Sequence, residues 1–311
     1  MWYRNLLLLI FFFAFHSVFA QLPQVSSGKI QRFENFSSSY VPARTVDVWL
    51  PATYNSSKKY AVLYMHDGQM LFDAATTWNK QEWGVDEVIT RLLEENKVND
   101  VIVVGVWNGD KRRHPEYFPQ KPFESLSQQQ KDTIYKAARS NGFSVFNDYP
   151  INSDNYLKFL VKELKPFIDQ QFSTYRDKQH TFVAGSSMGG LISMYALCEY
   201  PNVFGGAACL STHWPGIFTM EGNPIPQAFI NYLDKNLPNL RSHKIYFDYG
   251  DQTLDALYPP LQHQVDVLMK TKPYSTTNWM TRFFPGQDHS EKSWRSRLDV
   301  PLLFLLSKSS N

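Results

Sequence analysis

The chain has 311 residues, 43% of them hydrophobic and 19% charged, an ordinary globular composition with enough length for one large domain around a well-buried core. Lysine and arginine total 31 against 29 acidic residues, and no dense basic run appears, so a nucleic-acid partner has no electrostatic basis. Only two cysteines are present, Cys198 and Cys209, which excludes a disulfide-built scaffold; both lie in apolar contexts where buried free thiols are expected, although an oxidising compartment would permit a bond between them.

The first twenty residues read as a separate object. Arg4 is the only charged side chain, Leu6 to Phe15 runs without a polar residue, and Val18-Phe19-Ala20 places small residues where a signal peptidase reads them. This is the pattern of a secretory signal peptide cleaved after Ala20. The apolar run is shorter than the roughly 20 residues that span a bilayer, His16 interrupts its end, and no cysteine follows it to accept a lipid. A secreted or periplasmic mature chain with no membrane anchor is expected.

From Gln21 onward, strand-like and helix-like text alternate. Thr45 to Leu50 and Tyr60 to Met65 are short strand-like runs, the second leading into His66-Asp67-Gly68. Val85, Val88, Ile89, Leu92 and Leu93 recur at helical spacing, and Val101 to Val106 is nearly pure Val/Ile, as in a strand covered on both faces. A second helical pattern carries Tyr156, Leu157, Leu160, Leu164 and Phe167. Strand-like text returns at Thr181 to Ala184, Ala207 to Leu210, Lys244 to Tyr249 and Trp279 to Phe284, with helical stretches after most of these. Such alternation predicts an α/β fold: a mostly parallel sheet with helices on both faces and ligands beyond the carboxyl ends of its strands. The exception is residues 111–150, a polar, Gln-rich and aromatic stretch too long for a plain connection. The expectation is a single domain over 21–311 with an insertion there, above the site.

The strand-like run to Ala184 enters Gly185-Ser186-Ser187-Met188-Gly189-Gly190, and a helical pattern follows. This is a G-x-S-x-G elbow in the context it requires: strand, sharp turn, helix. Ser187, the central residue, is the candidate nucleophile ahead of its neighbour Ser186. A serine needs a base, and in this chain order the acid comes next and the histidine last. His289 lies after the last strand and before a closing helix, whereas His213 precedes any acid candidate, and His243 and His263 read as a strand start and a surface helix position. Two aspartates after the strand Lys244 to Tyr249 compete for the acid. Asp255 has room to turn back towards His289 and is favoured; Asp251, at the strand end, can instead cap the turn. Asp248, within the strand, reads as structural. The oxyanion donors expected are the amides of Met188 and of Gln69, the latter in the loop after Met65.

Taken together, Tyr64 to Gln69 with Leu71-Phe72-Asp73, Glu116-Tyr117 with Pro119, Gly185 to Gly190, and His289-Ser290-Glu291 with Trp294 resemble the Putative esterase family, which includes enterobactin and other siderophore esterases, feruloyl and acetyl-xylan esterases, and esterase D. The resemblance covers nearly the whole mature chain. It implies an α/β-hydrolase fold, no metal or organic cofactor, and Ser-His-Asp acyl-enzyme chemistry on a small or polysaccharide-linked ester of the feruloyl or acetyl type, or on a siderophore ester. It also marks Arg112, Glu116 and Tyr117 as residues near the site mouth, where an Arg would hold a substrate carboxylate or phenolate or else pair with Glu to pin the insertion. Trp107, His213 and Trp214, at carboxyl ends of strands, are candidates for lining the substrate pocket or for core packing. Two other readings stay open: acyl transfer of the mycolyltransferase type, which shares every catalytic residue, and a hydrolase-like binding protein without catalysis.

Overall fold

The computed structural model describes residues 21–238 and 242–308; the segment read as a signal peptide lies outside them. Eight strands form one sheet: β1 (Lys29–Phe36), β2 (Arg44–Leu50), β3 (Ala61–His66), β4 (Val101–Val106), β5 (Thr181–Ser186), β6 (Gly206–Leu210), β7 (Lys244–Tyr249) and β8 (Trp279–Phe283). Their spatial order is β1-β2-β4-β3-β5-β6-β7-β8. The first two pairings, β1 with β2 and β2 with β4, are antiparallel; all others are parallel.

Every residue of β3, β4, β5 and β6 is buried, the environment that near-continuous Val, Ile, Leu and Ala runs require. Alternate residues serve opposite faces. Val62, Tyr64, Ile102, Val104, Val183 and Phe247 pack on one side with the helical run 153–171, α7 (Met188–Glu199), α8 (Ile225–Asn236) and α9 (Pro259–Thr271). Leu63, Met65, Val101, Val103, Phe182 and Tyr246 pack on the other with α1 (Val85–Glu94), α10 (Glu291–Arg297) and α11 (Asp299–Leu306).

Two elements depart from the sequence expectations. The helix expected across Tyr156 to Phe167 is a continuous run of α5 (Ser153–Lys158), a π-helical stretch over Phe159–Leu164 and α6 (Lys165–Gln171). Residues 111–150 are not irregular: they hold α2 (Arg113–Tyr117), α3 (Gln120–Glu124) and α4 (Gln128–Tyr135). Their aromatics explain this, since Tyr117, Phe118, Phe123 and Phe146 are buried in the core against the α7–α8 side of the sheet. Cys198 and Cys209 are buried free thiols. No helix among the described residues is long and apolar enough to cross a membrane.

Candidate active site

The chain reverses at the end of β5, and the reversal is what exposes a side chain there. Ser187 adopts φ 58° and ψ −121°, a region other L-residues avoid and which persists only where the surroundings over-determine it. Its amide donates to the Leu210 carbonyl at 2.9 Å, and its own carbonyl accepts from Gly190, Leu191 and His213. A Cβ on Gly185 would lie 2.9 Å from the Gly189 backbone, so close approach of β5 and α7 demands glycine. Helix α7 begins at Met188, and its first-turn amides, lacking intrahelical acceptors, form a positive end beside Ser187.

After β7 the chain forms a 3-10 turn over Thr253–Leu257 that buries Asp255 completely. One Asp255 oxygen, Oδ1, lies 2.5 Å from His289 Nδ1. The other accepts from the Gly250 amide and the Ser211 hydroxyl, each at 2.6 Å. The His289 amide donates to Thr253 Oγ1 at 3.0 Å, fixing the loop that carries the ring. Asp251 is held elsewhere: its Oδ1 accepts from the Gly286 amide at 2.8 Å and from Gln252. Ser211, which no motif marks, joins the site to its support. Its oxygen receives the Trp294 indole at 3.0 Å and Arg297 at 2.8 Å, and Arg297 also pairs with Asp248 at 2.9 Å, both buried.

Ser187 and His289 line one cleft of about 510 Å³ together with Gln69, Trp78, Asn79, Gln81, Asn108, Arg113 and Trp294. Its opposite wall is the turn after β3. Asp67, in the left-handed conformation at φ 57°, starts a 3-10 turn over Gly68–Met70 that carries Gln69 to the cleft. A Cβ on Gly68 would meet the Gly105 carbonyl carbon at 2.5 Å, so the turn seats directly on β4. Asp67 binds Arg113 through both oxygens, at 2.6 and 2.7 Å, and takes the Asn108 amide group at 2.7 Å. Burial pushes its carboxyl up, but the Arg113 charge and these bonds prevail and hold it below the usual carboxylate range. Gln69 Oε1 accepts from the Asn108 amide, so three loops are tied into one wall.

The remaining expected residues are distributed differently. Arg112 stacks 4.0 Å over the Tyr149 ring, outside the cleft; its neighbour Arg113 faces the cleft instead, because α2 starts between them. Glu116 is buried against Arg44 in a two-point ion pair, a fastening of α2 to β2. Tyr117 is buried and its hydroxyl accepts from the Asp67 amide at 3.4 Å. Trp107 donates to Asp47 at 2.9 Å beneath Arg32, apart from the cleft. Trp214 is buried with its indole on Gln262. His213 is buried beside the elbow, with its amide on the Ser187 carbonyl. Trp78, missed in the sequence, stands 83% exposed at the mouth; an isolated Trp in a polar loop was its only signal. Among the described residues, no group of three or more His, Cys, Asp or Glu is arranged to hold a metal ion.

Comparison with known proteins agrees with this architecture. The family model described as Putative esterase matches residues 37–305. An uncharacterized protein of Bacillus subtilis, YbbA, is 25% identical over 173 residues, covering 55% of this chain and 58% of its own length. The match thus spans little more than half of that relative. A feruloyl esterase module from Clostridium thermocellum, solved with sinapinate, superposes with a TM-score of 0.62 at 16% identity over 93% of both chains. An enterobactin esterase from Shigella flexneri superposes with a TM-score of 0.58 at 17% identity, over 92% of this chain and 60% of its own. At these identities the solved structures establish the fold, that of the α/β-hydrolases.

Proposed function

This chain belongs to the Putative esterase family, and from that premise we propose that it is a secreted serine carboxylic-ester hydrolase whose triad is Ser187, His289 and Asp255. The observation that carries the reading is the 2.5 Å contact between His289 Nδ1 and buried Asp255, with His289 lining one cleft together with a serine held at φ 58°. With Nδ1–H donated to the carboxylate, His289 Nε2 is the atom left to take a proton. It removes the Ser187 proton as Oγ attacks the ester carbonyl. The amides of Met188 and Gln69 receive the oxyanion, and His289 returns the proton to the departing alcohol. Water, activated by the same ring, then releases the acid.

The substrate proposed is a neutral phenolic or acetyl ester on a saccharide. Trp78 and the amide side chains of Gln69, Asn79, Gln81 and Asn108 suit the mixed apolar and hydroxylated faces of such a group. Arg113, the cleft cation, already has its charge matched by Asp67, which counts against a strongly anionic siderophore. Export follows from residues 1–20, and a mature N-terminus at Gln21, read by mass spectrometry of the secreted protein, is the expected result.

The test is turnover of p-nitrophenyl acetate, methyl ferulate and a ferric triscatecholate ester by the wild type and by Ser187→Ala. Loss of about 10⁴-fold or more in kcat on the hydrolysed ester is expected for the variant. Near-wild-type rates would remove Ser187 as nucleophile, and preference for the triscatecholate would replace the saccharide substrate.

A further inference from the structure

The insertion holds a second depression that the proposed chemistry does not use. A groove of about 550 Å³ is lined by the cations Lys111 and Arg139, the aromatics Phe143 and Tyr149, and the side chains of Asn141 and Asn147. It matches the catalytic cleft in size, about 510 Å³, and the two are joined through one 3-10 turn, Asp110–Arg112. Lys111 on that turn lines the groove, and Arg113, directly after it, lines the cleft. Arg112 stacks on Tyr149, and Asn147 Nδ2 donates to the Lys111 carbonyl at 2.8 Å, so the turn is fastened to the opposite wall.

The groove carries positive charge that its own walls do not answer. Among the described residues, six arginines are buried or half-buried: Arg32, Arg44, Arg112, Arg113, Arg139 and Arg297. Four of them pair with a carboxylate; the two that make no ion pair, Arg112 and Arg139, both stand at this groove. Arg139 has a hydrogen bond at 3.3 Å to the Val145 carbonyl and lies over the Phe218 ring. Burial and the Arg113 charge together hold its guanidinium below its ordinary range. The groove's carboxylate, Asp148, and Asp110 beside Lys111 are both exposed and pair with neither cation, so solvent screens them. A bare inorganic anion would need no aromatic wall, yet the Phe143 ring is 69% exposed here.

We propose that this groove is a subsite for a uronate residue of an acidic polysaccharide, its carboxylate on Arg139 and Lys111 and its apolar ring face on Phe143. An ester-bearing sugar of the same polysaccharide then occupies the catalytic cleft; that role rests on the saccharide-ester reading above, whereas the binding itself does not. Guanidinium suits a planar carboxylate through paired donors. Asn141 accepts from the Phe143 amide with its oxygen, and Asn147 spends its Nδ2 on Lys111, which leaves one amide donor and one amide acceptor for sugar hydroxyls. A neutral ester in the cleft and an acidic sugar outside it are compatible, because the cleft cation Arg113 is already paired and those of the groove are not.

The experiment is calorimetric titration of trigalacturonate, xylotriose and sodium sulfate into the wild-type protein, Arg139→Gln and Lys111→Gln, with p-nitrophenyl acetate turnover of each protein alongside. Trigalacturonate is expected to bind with a Kd on the order of 1 mM or tighter, more weakly as salt is raised. Arg139→Gln should weaken it about tenfold and the exposed Lys111→Gln about threefold, while kcat and KM for p-nitrophenyl acetate stay at wild-type values. On acetylated xylan fragments, Arg139→Gln should raise KM about tenfold for those that carry glucuronate and leave the neutral ones unchanged. Absence of trigalacturonate binding, equal binding of xylotriose, sulfate bound as tightly as trigalacturonate, or affinity undiminished in both variants each overturns the proposal. Turnover of p-nitrophenyl acetate without trigalacturonate binding removes the groove alone. Trigalacturonate binding in a protein that hydrolyses no ester removes the catalytic reading, and with it the groove's part in placing a substrate.

Discussion

At the scale of single residues, the two aspartates after β7 show how little separates a catalytic candidate from a turn cap. Both are carboxylates in one loop, four positions apart in the chain. Asp251 holds Gly286 and Gln252 with one oxygen near the surface, whereas Asp255 is fully buried with four hydrogen-bonding or ionic neighbours converging on it. Asp255→Asn should leave the fold intact but lower kcat about 10³- to 10⁴-fold, the range known for the corresponding acid of a serine protease, because an amide no longer selects the tautomer with Nε2 unprotonated. Asp251→Asn should stay within about twofold of wild type, as surface substitutions generally do. Steady-state kinetics of the pair decide the matter, and equal losses would transfer the acid's role or dissolve it. Arg112 and Arg113 teach the same lesson: adjacent in sequence, one lies on Tyr149 and the other in the cleft, because one residue of helix turns a side chain by about 100°.

At the scale of elements, the site depends on how α10 is fastened beneath it. Arg297 reaches from that helix to Asp248 on β7 and to the Ser211 hydroxyl, which itself donates to Asp255. The pair is buried to 2% and 0% exposure. Removing the cation alone strands a carboxylate away from water, so Arg297→Met is expected to cost about 3–5 kcal/mol of stability, read from the denaturation midpoint at unchanged m-value. A variant as stable as the wild type would mean that water or another cation reaches Asp248. The catalytic rate should fall less than stability does, because Asp255 keeps the Gly250 amide. Element boundaries were legible where periodicity was strong: β4 was read at its full extent, Val101–Val106. The polar edge strand β1 was not read, since its residues are mostly exposed or half-buried without clean alternation. Residues 111–150 look like loop because their polar helices α3 and α4 are short, and only their buried aromatics tie them down.

At the scale of the whole molecule, buried histidines set the response to acid. Burial lowers His66 and His114 from the ordinary 6.5 to about 3, and His213 is lowered too. Between pH 6.5 and about 3 the unfolded chain binds protons on these rings that the native chain does not, so native stability declines as pH falls through that window. Asp86 opposes this: burial raises it from 3.8 to about 6, so it contributes stability as the pH falls through that narrower range. Burial raises Glu82, Asp248 and Asp266 in the same direction. Asp67, Asp177 and Asp288, held low by ion pairs or hydrogen bonds, instead join the three rings in losing stability as they protonate, and the loss is expected to prevail. The melting temperature should therefore drop steadily from pH 7 to pH 4.5 by circular dichroism, and a flat or rising curve would show that these rings are hydrated in the native state. What the sequence by itself determined was whatever depends on near neighbours in the chain. Strand runs, the Gly-Ser-Ser-Met-Gly-Gly turn and the loop bearing His289 carry their meaning within a few residues, since period and turn chemistry are local. Only the tertiary structure decided which aspartate meets His289, which arginine faces the cleft, and that Ser211 and Arg297 gather around the site. Those choices bring together residues from 34 to 86 positions apart, and such contacts are set by packing of the sheet and its helices, which no local pattern encodes.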